Sequence, residues 1–104
     1  MHKIPNEIIQ AVRKFKSVIR PDLNVIKIIL FGSYAKGTYK RHSDIDICVV
    51  ALGVRNTFLA SLKIAPRVLE ADPRIEPVVF SLREFQTTPC FGLLKEIREN
   101  GIEL

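Results

Sequence analysis

Ile8, Ile9, Val12, Phe15 and Ile19 recur at helical spacing, with Arg13, Lys14, Lys16 and Arg20 mostly opposite them, which predicts an amphipathic helix opened by Pro5 and Asn6. Pro21 ends it, because proline cannot donate the next backbone hydrogen bond. The period then changes. From Asn24 to Phe31 the β-branched run VIKIILF reads as a strand, and Gly32 breaks it. A short helical turn over Ser33 to Lys36 fits before Gly37. Ile45 to Ala51 is a second strand. After Gly53, Asn56 is placed to cap a helix running to Ala71; Pro66 inside it predicts a kink, or a break after a first segment from Thr57 to Ile64. Arg74 to Ser81 reads as a third strand, in which Pro77 argues for an edge position or an irregular start. Ser81 and Glu84 have the spacing of a capping box for a short turn, and Phe91 to Asn100 form a terminal helix closed by Gly101.

The order α-β-α-β-α-β-α with short connections predicts an α/β (α+β) fold: a small mixed sheet of three to four strands with flanking helices. A length of 104 residues suits one domain, residues 1–104, with one core. Apolar residues make up 47% and charged residues 26%, the balance of an ordinary globular protein. VIKIILF is too short to span a membrane and MHKIPNEII lacks the apolar stretch of a signal peptide, so the expected location is cytoplasmic. Cys48 and Cys90 have no Cys or His partner at zinc spacing and read as reduced, packed thiols. The formal charge of +5 favours anionic partners such as nucleotides, RNA or an acidic protein surface. Without interleaved aromatic and basic residues, it leaves nucleic acid undecided.

Chemistry concentrates in FGSYAKGTYKRHSDIDICVV, Phe31 to Val50. Strand side chains alternate, so Asp44 and Asp46 share one face at a strand end while Ile45 and Ile47 point into a core. Two adjacent carboxylates repel, and their natural compensation is a hard divalent cation, above all Mg²⁺. Gly32 and Ser33 follow a strand where it turns into a helix, so the backbone can approach an anion closely and the Ser33 hydroxyl adds a donor. A phosphate at Gly32-Ser33 and a metal at Asp44 and Asp46 together describe a nucleoside triphosphate bridged by Mg²⁺. Lys36, Lys40 and Arg41 suit phosphate binding and a solvated basic loop equally well. His42 reads as an exposed loop residue, and Tyr34 and Tyr39 as packing over the short helix.

Gly32-Ser33, ten residues, then Asp44-Ile45-Asp46 is a GS-x10-DxD motif. In that motif the chain resembles the polymerase-β-like nucleotidyltransferase superfamily, and in its size the minimal nucleotidyltransferase branch, whose members are often encoded beside HEPN-domain partners. The resemblance implies that Gly32, Ser33 and Lys36 hold the nucleotide phosphates, and that Asp44 and Asp46 ligate two Mg²⁺ ions with ATP as donor. It also implies a third carboxylate on a neighbouring strand that completes one metal site and helps deprotonate the acceptor. Glu70, Asp72 and Glu76 are the candidates. Glu76 heads the strand IEPVVF, where the family usually carries aspartate, and is preferred as metal ligand and catalytic residue. The implied reaction transfers NMP, AMP by preference, to a hydroxyl, in this branch a tyrosine of a HEPN-type toxin, so that the chain acts as a type VII-like antitoxin. Two alternatives stay open: a catalytically weak subunit that neutralises its partner by contact, and a small-molecule nucleotidyltransferase. Oligomeric state, homo- or hetero-oligomeric, is not read from the sequence.

Overall fold

Helix α1 (Asn6–Ile19) buries Ile8, Ala11, Val12, Phe15 and Ile19 and leaves Arg13 and Lys14 in solvent, so its apolar stripe becomes one side of the core. The computed structural model describes residues 4–87 and 92–104. Strand β1 (Asn24–Phe31) follows, then the single turn α2 (Ser33–Lys36), closed by Gly37, and strand β2 (Ile45–Leu52). Asn56 caps α3 (Thr57–Ala71), accepting from the Leu59 amide at 3.0 Å. Strand β3 (Ile75–Ser81), α4 (Leu82–Thr87), α5 (Gly92–Asn100) and the short β4 (Ile102–Glu103) complete the chain.

The sheet order is β3-β2-β1-β4. β1 pairs antiparallel with β2 and β4, while β2 pairs parallel with β3, giving the mixed sheet expected. Alternation divides the core in two. Ile28, Leu30, Ile45, Ile47 and Val49 meet α1 and α3 on one face; Ile29, Phe31, Cys48 and Val50 meet Ile97 of α5 on the other. Cys48 is fully buried, and burial pushes its thiol up to about 12, so it remains a packed, protonated sulfhydryl. Tyr34 is buried and stacks on Tyr39 with ring centroids 4.6 Å apart, the packing role expected of both.

Several sequence expectations hold in detail. β1 has the expected bounds, Pro77 lies on the edge strand β3, and the Ser81–Glu84 capping box forms reciprocally, each bond 3.0 Å. Others are corrected. Pro66 does not break α3: the helix runs unbroken to Ala71, because Ala60 and Ile64 anchor it to the core while Pro66 faces solvent. The chain does not end on a helix, since β4 adds a fourth strand paired to Ile29 and Leu30. The region after Ser81 is a six-residue helix rather than a turn. The expected helix start at Phe91 and the thiol of Cys90 lie outside the described residues.

Candidate active site

Two strand ends meet where β1 gives way to α2 and β2 begins. Antiparallel register sets Phe31 opposite Asp46, so Gly32 passes directly over the Asp46 side chain. Gly32 has φ 74° and ψ −150°, a region essentially reserved for glycine. A Cβ built there would overlap Asp46 Oδ2 and crowd Asp46 Cγ at 3.1 Å and Cβ at 3.2 Å. Backbone and carboxylate are thus packed against each other at this point. Ser33 begins α2, whose leading amides have no acceptor within the helix, and its own carbonyl accepts from the Thr38 amide at 3.0 Å.

Asp44 stands one residue ahead of β2, exposed, while Asp46 lies within the strand and is half-buried. The turn that delivers Asp44 is tied at Ser43, whose hydroxyl accepts from the Lys40 amide at 2.7 Å and whose amide donates to the Lys40 carbonyl at 3.1 Å. His42 is exposed.

Parallel register sets Glu76 of β3 directly opposite Asp46, one strand spacing of about 4.8 Å away and on the same face. The other two candidate carboxylates are engaged elsewhere. Asp72 makes a two-pronged ion pair with Arg74 (2.9 and 3.1 Å) and accepts the Arg74 amide, which together hold its carboxyl below the usual range. Glu70 pairs with Arg67 at 3.0 Å on α3. Of the three, the structure brings only Glu76 to Asp46.

Burial, then the charges of Glu76, Asp44 and Glu96, push the Asp46 carboxyl above its ordinary value; Lys36 opposes them. Glu96, on α5, is the member that sequence reasoning missed. Lys36 does not stand free beside the Gly32-Ser33 turn but pairs with Glu96 at 2.9 Å. Among the described residues, no three His, Cys, Asp or Glu side chains are drawn together at metal-ligating spacing. Asp46 therefore feels three other carboxylates and one ammonium from a distance, with the Gly32 backbone pressed against its side chain.

The nucleotidyltransferase domain pattern matches residues 7–104. A candidate protein adenylyltransferase of Methanocaldococcus jannaschii is 30% identical over 103 residues, covering 94% of this chain and 99% of its own. A candidate nucleotidyltransferase from Sulfolobus solfataricus superposes with TM-score 0.60 at 21% identity, over 99% of this chain and 89% of that one. A toxin–antitoxin complex crystallised with AMP-PNP superposes with TM-score 0.58 at 26% identity, over 95% of this chain and 72% of that one.

Proposed function

We propose that this chain, which belongs to the nucleotidyltransferase domain family and is a nucleotidyltransferase, moves AMP from ATP to a hydroxyl of a partner protein. The observation that carries the reading is the position of Asp46, packed under Gly32 on one side and in register with Glu76 on the other. The Gly32 backbone and the Asp46–Glu76 pair of carboxylates meet there. The donor set fits Mg²⁺ in kind: hard carboxylate oxygens on or beside rigid strands, with a central carboxyl already raised by burial and uncompensated negative charge. Asp44, Asp46 and Glu76 would hold the ions. When bound, they would offset charge on the attacking and leaving oxygens of an in-line displacement.

The chain's own residues would do the rest. The Gly32 backbone lets the triphosphate come close, and the Ser33 hydroxyl donates to a phosphate oxygen. Lys36, exchanged from Glu96, can reach the same phosphates. The acceptor oxygen attacks the α-phosphorus and the bond to the bridging oxygen breaks, so pyrophosphate leaves with that electron pair. Glu76 takes the acceptor's proton. A protein acceptor is supported by the names of the adenylyltransferase relative and the toxin–antitoxin neighbour, and the reading takes that acceptor to be a tyrosine of a HEPN-type toxin in the same cytoplasm. The exposure of Asp44 and Glu76 also suits an acceptor that supplies its own orientation by docking.

A second reading, a subunit that neutralises its partner by contact alone, draws on the absence of a gathered three-carboxylate group among the described residues and on the exposed Glu76. One experiment separates the two. The protein encoded beside this chain is mixed with it, Mg²⁺ and ATP, and intact masses and partner toxicity are read for wild type and for Asp44→Asn with Asp46→Asn. The expected result is addition of one or more AMP units to the partner by wild type only. Neutralisation that survives in the double variant, with no mass change by wild type, leaves the contact reading.

A further inference from the structure

Helices α1 and α3 lie together on one face of the sheet, yet their solvent sides differ. The exposed residues of α1 are polar throughout: Asn6, Glu7, Gln10, Arg13, Lys14 and Ser17. Those of α3 are not. Phe58, Leu59, Leu62, Ala65, Pro66 and Leu69 face solvent, and of the exposed residues of this helix just Lys63 and Glu70 carry charge. The large side chains are well out in water, Leu69 at 77%, Phe58 at 68% and Leu62 at 55%. Phe58, Leu62, Ala65 and Leu69 are spaced four, three and four residues apart, the seam that a facing helix reads. The apolar area amounts to roughly 400–500 Å², the size at which patches on monomers are commonly functional.

We propose that this face of α3 pairs antiparallel with the same face of a second copy of the chain. Leu62, Ala65, Pro66 and Leu69 stand at positions i, i+3, i+4 and i+7, the diamond that encloses a knob from an opposing helix, and its two middle residues are small. With Leu69 of each copy entering the hole of the other, Lys63 of one copy comes within a turn of Glu70 of the second copy, where it would share that carboxylate with Arg67 of Glu70's own helix, 3.0 Å away, and the two-fold axis makes the contact twice. The face is therefore complementary to itself in both shape and charge. Its area on two copies is below the roughly 1,200 Å² of standard interfaces, and the formal charge of +5 on each copy opposes association, so the dimer is of the weak, reversible class. Asp46 and Glu76 lie on the opposite face of the sheet, with Cys48, Val50 and Val78, so pairing leaves the candidate active site open.

Sedimentation equilibrium of the whole chain between about 5 and 500 µM, the range for an interface of this size, reads the association directly. The weight-average mass should climb from 11.8 kDa toward twice that value. Leu62→Glu and Leu69→Glu, both at exposed positions, should hold it at the monomer mass with an unchanged far-ultraviolet circular dichroism spectrum. Lys63→Glu alone and Glu70→Lys alone should each weaken self-association roughly tenfold, since each makes both pairs repulsive. An equimolar mixture of those two variants should restore it, because every cross-copy pair is again opposite in sign. A wild-type mass that stays at 11.8 kDa overturns the proposal, as does association that survives Leu62→Glu or a mixture that fails to restore it.

Discussion

Gly32→Ala tests the join between the proposed phosphate turn and the Asp46 carboxylate more directly than removing either. Alanine would have to adopt φ 74° and ψ −150°, at about 1–3 kcal/mol, and its methyl would drive the Asp46 side chain off its rotamer for about a further 1 kcal/mol. The sum, about 2–4 kcal/mol, lowers Tm by about 10–25 °C in a chain of this length. It leaves the protein folded, because stabilities of domains this size run to about 5–15 kcal/mol. Gly53→Ala is the control. Gly53 also has positive φ (73°), but nothing lies within 4 Å of a Cβ built there, so it reports backbone strain alone, about 1–2 kcal/mol. Thermal unfolding of both variants, with and without Mg²⁺ and ATP, separates the effects. Only Gly32→Ala should lose the ligand-dependent rise in Tm, since only there is a carboxylate displaced. In an Asp46→Ala background the Gly32→Ala penalty should fall toward that of Gly53→Ala, a coupling that contacting residues show and distant ones do not. Equal destabilisation by the two glycine variants, with the ligand shift intact in both, would refute the argument.

Glu76→Gln should depress AMP transfer far more than it depresses the Mg²⁺- and ATP-dependent thermal shift, because the proposed role is to take the acceptor's proton; a silent Glu76→Gln beside a damaging Asp72→Asn would reverse the assignment. Asp46→Asn should stabilise the metal-free protein at neutral pH. The folded Asp46 carboxyl lies above its unfolded value, so the native state holds the proton more tightly and ionisation of Asp46 erodes stability as pH rises from the unfolded pKa through the folded one. Urea denaturation from acid to neutral pH should therefore show the variant's advantage opening with rising pH, and an advantage independent of pH would sink the cause given. Asp72→Asn should act with the opposite sign. Its carboxyl is held low by Arg74, so its contribution of about 1–2 kcal/mol is present above the unfolded pKa and lost as pH falls through the folded one. Equal stability of wild type and Asp72→Asn at neutral pH would contradict it.

What the sequence made legible, and what it did not, divides by range. β1 was readable because a β-branched run lies between Pro21 and Gly32, and the Ser81–Glu84 cap because both partners sit within three residues. Pro77 marked the edge because an interior strand has no use for a residue without an N–H. β4 was not readable: two residues have no period, and Ile102 and Glu103 are strand only because Leu30 and Ile29 lie beside them. The continuity of α3 through Pro66 is a tertiary result, fixed by what Ala60 and Ile64 pack against rather than by propensity. At the site, the spacing of Gly32, Ser33, Asp44 and Asp46 was local and visible. The Lys36–Glu96 pair depends on how α5 crosses the sheet, and no short-range pattern in the chain announces that.

That pair also sets the charge balance around Asp46 at the end of an apolar strand. Asp46 is half-buried with Glu76, Asp44 and Glu96 all raising its carboxyl and one ammonium, Lys36, lowering it. Lys36, paired with Glu96, does not offset them all, so the Asp46 carboxyl stays above its ordinary value although the chain as a whole carries +5. A bare triphosphate would deepen that deficit. A divalent cation arriving with the nucleotide would reverse it, and in doing so would release Lys36 from Glu96 toward the phosphates. On the proposed reading, the site would favour the metal–nucleotide complex over either component alone, which is the discrimination a nucleotidyltransferase needs if it is to hold its donor until an acceptor docks.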